Sequence, residues 1–152
     1  MSANATSLFL HTVRRTESQP FSLGRFALLG LGTVFAAVLA NTLFYYIASA
    51  LVAYDPGFIM LATPGGTIVM TVAPAIVAVL LYAGLVQFTG RHAARVFSII
   101  SSIVLILSFI PDLTYVPTVP GSSDAQIAIL LTMHVIAAAV IVRMLTSAPA
   151  RR

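Results

Sequence analysis

The sequence predicts an all-α integral membrane protein, a four-transmembrane-helix bundle with both termini in the cytoplasm. Three observations carry this expectation. Hydrophobic residues make up 59% of the 152 and charged residues only 8%, where an ordinary soluble domain carries roughly 25% charge. The apolar residues fall into four long runs broken by Pro, Gly and Asp, and runs of that length are what a bilayer requires. The charges also sort by sign along the chain, as set out below.

Residues 1–23 are mixed and polar and read as a cytoplasmic N-terminal tail, with an amphipathic helix around Leu8 to Val13. The membrane domain spans 24–146, with spans at about 26–54, 64–88, 93–110 and 124–145, and residues 147–152 form a short basic cytoplasmic tail. From Phe26 to Tyr54 no charge occurs, and at ~1.5 Å per residue this run exceeds the roughly 30 Å hydrocarbon core, so a tilted first helix is expected. Asp55-Pro56-Gly57 then carries a turn signature. Ala48-Ser49-Ala50 mimics a signal-peptide cleavage site, but the apolar stretch before it is too long for the usual h-region.

Thr63-Pro64 supplies an N-cap followed by proline at the first helical position, opening the second span. Gly90 is placed to end it, and only Thr89 to His92 separate it from the third, so these two helices should be adjacent and antiparallel. Pro111-Asp112 is expected to stop the third span. Ser123 and Gln126 have capping-box spacing, in which the Ser oxygen accepts from the Gln126 amide and Gln126 reaches back to the Ser123 amide.

With four alternating helices, all eight arginines and Glu17 fall on one side, whereas Asp55, Asp112 and Asp124 fall on the other. The positive-inside rule then sets both termini in the cytoplasm. The net charge of +4 does not indicate nucleic acid, because the arginines flank apolar runs instead of clustering on a soluble face. Having no cysteine, the chain can form neither a disulfide nor a cysteine-ligated metal site. It also has no lysine, which excludes Schiff-base chemistry and a Walker phosphate loop.

Polar groups inside lipid are costly, so the few within the spans are the candidate functional residues. Counting ~1.5 Å per residue puts Asn41, Pro74, Ser101, Ser102 and His134 all near the midplane. Pro74 cannot donate to the Met70 carbonyl, leaving an acceptor to be met. The expectation is a polar layer joining Asn41, the Met70 carbonyl, Ser101 or Ser102, and His134. Its plain reading is interhelical glue at ~0.6 kcal/mol per bond; its sharper reading is a binding site for a small ligand or quinone-like headgroup. His134 has no second histidine at depth for a haem, and no Asp or Glu is expected within a span to relay a proton. A serine and His134 lack an orienting acid, so no catalytic constellation and no metal site is expected. Gly30, Ala37, Asn41, Tyr45 and Ala48 share one face of the first helix, and Ala94, Ser98 and Ser102 recur along the third, giving small-residue stripes suited to close helix contact.

Ala40-Asn41 in the first span, Pro111 closing the third and Met133-His134 in the fourth resemble a family of four-helix bacterial inner-membrane proteins catalogued as a domain of unknown function. The resemblance covers residues 24–146 and implies the same spans without implying an activity. By subtraction the chain is expected to be a non-enzymatic accessory or scaffold subunit without a cofactor. Its partners would be the lipid bilayer and either further copies of itself or other membrane proteins. The alternative is a small-molecule carrier or lipid- or quinone-binding protein with a midplane pocket. A packed, dry interior would favour the first and a cavity the second.

Overall fold

A computed structural model describes residues 23–147. The expected tails before and after, including the amphipathic helix around Leu8 to Val13, lie outside the described residues. Within them the chain is helical, with no strand: α1 is Leu23–Ser49, α2 Pro64–Thr89, α3 Ala93–Thr114 and α4 Asp124–Ser147. Short 3-10 turns at Gly90–His92 and Val116–Thr118 join α2 to α3 and follow α3. Three helical stretches are long and apolar enough to cross a membrane: Leu23–Ser49, Pro64–Thr118 and Asp124–Ser147, the middle one bent at Gly90.

The packing is that of a membrane protein turned toward oil. In α1 the residues facing inward are Gly30, Thr33, Ala37, Asn41, Tyr45 and Ala48, whereas Leu28, Leu31, Phe35 and Leu43 are exposed. Water would penalise that arrangement, but lipid is as apolar as leucine, so bulky side chains gain nothing by turning inward and small ones let helices approach. The approach is closest at Gly30, where an added Cβ would lie 2.7 Å from Cγ1 of Val79. The small-residue stripe of α1 is therefore used within the chain, against α2 and α4. It does not face outward to seat a partner helix.

α1 packs between α2 and α4, α3 packs on α4 and α2, and α2 meets α4 across the middle. Two cores form at opposite ends. One gathers Tyr45, Phe58, Leu61, Val116, Ile127 and Met133. The other gathers Ala37, Ala75, Tyr82, Phe97, Ile141 and Leu145.

Helix ends depart from expectation in two places. α1 stops at Ser49 and not at Tyr54, because residues 50–63 fold back over the end of the bundle. Phe58 and Leu61 are fully buried there, and the Tyr54 hydroxyl donates to the Tyr45 carbonyl at 3.0 Å. Apolar loop side chains thus extend the charge-free run beyond the helix. α3 continues through Pro111 to Thr114. A helical proline forfeits one backbone bond, but the turn beyond it is closed by the Tyr115 amide donating to the Pro111 carbonyl at 2.9 Å. Elsewhere the local signals act as read: Thr63 caps α2 through the Gly66 amide, with Pro64 following, and Gly90 ends it with φ of 51°.

Candidate functional site

The proline in α3 has a consequence for the polar inventory. Because the helix runs on, Asp112 lies inside it, only 7% exposed, and not in an outer loop as expected. Its Oδ2 is 3.2 Å from Nδ1 of His134 on α4. That same nitrogen lies 2.9 Å from the Leu130 carbonyl one turn earlier. A neutral ring carries one N–H, and its aim toward Leu130 leaves Asp112 Oδ2 close by but without a hydrogen bond. The edge of the His134 ring pair with Phe109, at 6.5 Å, completes its immediate surroundings.

A second polar feature joins α1 to α2. Thr71 Oγ1 donates to the Thr67 carbonyl at 2.8 Å and so is free only to accept. It accepts from Asn41 Nδ2 at 3.0 Å. This fixes the orientation of the amide, because the hydroxyl has no second hydrogen to give Oδ1. Among the described residues Asn41 Oδ1 is buried without a partner, as is the Thr67 hydroxyl.

Both features border one cavity of about 860 Å³. Its walls are mainly apolar: Val77 and Leu81 from α2, Ile100 and Val104 from α3, Ala138 and Ile141 from α4. Asn41 enters from α1, and Ile59 and Met60 of the folded-back loop reach it as well. Met70, Val77 and Val104 line the cavity while remaining largely exposed, so it opens sideways between α2 and α3. Opposite the loop it narrows toward the Tyr82 and Phe97 rings, whose centroids are 5.1 Å apart. The exposed bend also carries Arg91.

The residues singled out from sequence are distributed unevenly over this site. Asn41, Met70, Pro74, Ser101 and His134 border the cavity, but Ser102 does not; its hydroxyl donates to the Ser98 carbonyl at 2.9 Å. The continuous polar layer does not form. Asn41 bonds Thr71 and not the Met70 carbonyl, and His134 turns to Leu130 and Asp112. Among the described residues no side chain donates to the Met70 carbonyl. Asn41 also sits higher than expected, ~12 Å from the end of α1, since that helix is shorter.

Sequence reasoning missed Asp112, Thr67 and Thr71. The two threonines stand four apart, three and seven residues before Pro74, on one helix face, and that spacing was the available signal. Gln126 is fully enclosed, and its capping box is half formed. Its amide donates to Ser123 Oγ at 3.4 Å, but its side-chain oxygen accepts from that hydroxyl, leaving Nε2 unpartnered. No cluster of three or more His, Asp or Glu side chains occurs among the described residues.

Residues 21–151 match the model of a family described as a family of unknown function, DUF6069. No curated protein and no solved structure matches.

Proposed function

We propose that this chain, which belongs to the DUF6069 family, is a non-enzymatic four-pass membrane protein that binds an amphiphile, a lipid or a quinone-like molecule, in the cleft between α2, α3 and α4. The single observation that carries the reading is the cavity of about 860 Å³, open sideways between α2 and α3, with apolar walls and polar side chains from all four helices. Its volume is within the roughly 300–1,000 Å³ of small-molecule sites. An aliphatic tail suits Val77, Leu81, Val104 and Ile141, and a small polar head suits Asn41 and the Asp112–His134 pair.

Four passes are supported by the bend at Gly90. A straight 55-residue stretch would be ~80 Å long, far beyond a bilayer, whereas Tyr82 and Phe97 touch across the bend as an antiparallel hairpin requires. Arg25, Arg91, Arg95 and Arg143 then share one end of the bundle, and Asp55 and Asp124 the other. With the positive-inside rule this supports both termini in the cytoplasm, and the reading of a bacterial inner membrane as the location rests on the family resemblance. The scaffold reading loses one of its supports, since the α1 stripe is buried internally. A role as an accessory subunit of a homo-oligomer or larger complex then rests on subtraction and on the α3 stripe.

The test is extraction into lipid nanodiscs without detergent, followed by mass analysis of bound small molecules. Wild type should carry a recurring amphiphile near one per chain, and Ala138→Phe, which fills the cleft, should lose it while keeping its helical circular dichroism. A wild type that carries nothing beyond bulk lipid, or an unchanged complement in Ala138→Phe, overturns the reading.

A further inference from the structure

The polar atoms left unmatched around the cleft specify the chemistry of the head it takes. Five buried side-chain atoms lack a hydrogen-bond partner among the described residues. Three belong to residues that border the cleft: Asn41 Oδ1, Thr67 Oγ1 and Asp112 Oδ2. They come from α1, α2 and α3, and their residues are 4%, 5% and 7% exposed. A buried polar group without a partner is destabilising, and native proteins leave few of them.

Two of the three are acceptors. The amide of Asn41 is held with its nitrogen on Thr71, so its oxygen is the atom left over. The Asp112 oxygen sits beside a histidine whose Nδ1 already meets a carbonyl. Thr67 carries a hydroxyl, which both gives and receives. A ketone, ether or ester oxygen can accept from Thr67 alone and offers no donor to Asn41 Oδ1 or Asp112 Oδ2. An anionic phosphate or carboxylate would approach Asp112 with no arginine among the residues bordering the cleft. An uncharged hydroxyl donates to either acceptor and accepts from Thr67.

We infer that the cleft selects an amphiphile whose head is an uncharged hydroxyl, as in a lipid alcohol or a quinol, over the matched ketone, ether or anion. The inference rests on the cleft reading above and narrows it. A hydroxyl head replaces a bond to water with a bond to Asn41 Oδ1 or to Asp112 Oδ2, and only the donor-bearing member of a matched pair can do so.

The experiment measures binding to protein in nanodiscs by native mass spectrometry, using oleyl alcohol, its methyl ether, oleic acid, decylubiquinol and decylubiquinone. Oleyl alcohol should bind roughly tenfold or more tightly than its methyl ether or oleic acid, or decylubiquinol should exceed decylubiquinone by the same factor. Preference confined to the alcohol assigns a lipid source, preference confined to the quinol assigns a redox lipid, and either supports the inference. In Asn41→Leu and in Asp112→Leu, each of which removes one of the unpartnered acceptors, the preference should shrink toward unity. Retained binding of the methyl ether shows that each variant is folded. Equal binding of all five probes by wild type, or an undiminished preference in both variants, overturns the hydroxyl selection while leaving the cleft in place. Failure of wild type to bind any probe removes the cleft reading itself.

Discussion

The hydrogen bond from Asn41 to Thr71 offers the sharpest test of how α1 and α2 are joined. The perturbations are Asn41→Leu, Thr71→Val and the two combined, with His134→Phe as a third site. Asn41 Nδ2 and Thr71 Oγ1 are 3.0 Å apart and buried, and interhelical bonds of this kind in membranes average ~0.6 kcal/mol, reaching ~1.7. Thr71→Val leaves Asn41 Nδ2 unmet and so carries an added desolvation penalty of about 1 kcal/mol, whereas in Asn41→Leu the Thr71 hydroxyl keeps its bond to the Thr67 carbonyl. The double variant leaves neither group unpaired and also removes the orphaned Asn41 Oδ1. It should therefore be more stable than the two single losses add up to, with a coupling of about 0.6–1.7 kcal/mol. Asn41 and His134 share no bonded partner, so their double variant should be additive within about 0.5 kcal/mol. Reversible unfolding in mixed micelles, followed by circular dichroism, gives both cycles. Additivity between Asn41 and Thr71, or coupling between Asn41 and His134, would refute the reasoning.

Two glycines two residues apart in α1 should answer differently to alanine. Gly30→Ala drives a Cβ to 2.7 Å from Val79 and should lower stability by about 1–3 kcal/mol through overpacking. Gly32→Ala meets only Met144 Cε at 4.0 Å and should stabilise by up to ~1 kcal/mol; the same micelle unfolding assay reads both. Gly121 has φ of 77°, and a Cβ there would lie 2.8 Å from the Phe58 amide nitrogen. Gly121→Ala should thus lower stability by about 2 kcal/mol, of which the left-handed backbone contributes ~1–2. The Tyr54 phenol, in the loop beyond α1, is pushed above its ordinary pKa by burial and then by neighbouring Tyr45. A raised native pKa gives stability that is present below pH ~10 and is lost as pH climbs through the native value. Alkaline titration should therefore lower the stability of wild type, and Tyr54→Phe should show less of that loss while starting ~1 kcal/mol weaker without the bond to the Tyr45 carbonyl.

The helical class and the signals at Thr63, Pro64 and Gly90 were legible because each is local: a cap, a missing amide, a positive φ. Whether a proline stops a helix is not local. Ile110-Pro111 reads as a boundary from backbone sterics, but α3 continues, and the turn after Pro111 has its own backbone bond. That single misreading removed Asp112 from the candidate residues. It also led to the expectation that no acid lay beside His134. The polar layer was drawn from depth alone, and depth fixes height along a helix without fixing direction around it. Asn41 was found by being the one amide in an apolar run, whereas its partner Thr71 looked like any threonine. The loop over 50–63 was illegible for a further reason, since its buried Phe58 and Leu61 have the same composition as the helix they follow.

The side gap between α2 and α3, bounded by Met70, Val77 and Val104, changes the units in which occupancy is measured. On the proposed amphiphile-binding reading, a guest would enter through this gap without dissolving in the surrounding aqueous phase. It diffuses within two dimensions, and its abundance there is a mole fraction of the leaflet. A compound with negligible water solubility can therefore saturate the protein, and a well-dissolved one can fail to. Dose–response curves plotted against bulk molarity would shift with the quantity of membrane in the tube, and plotted per lipid molecule they should coincide.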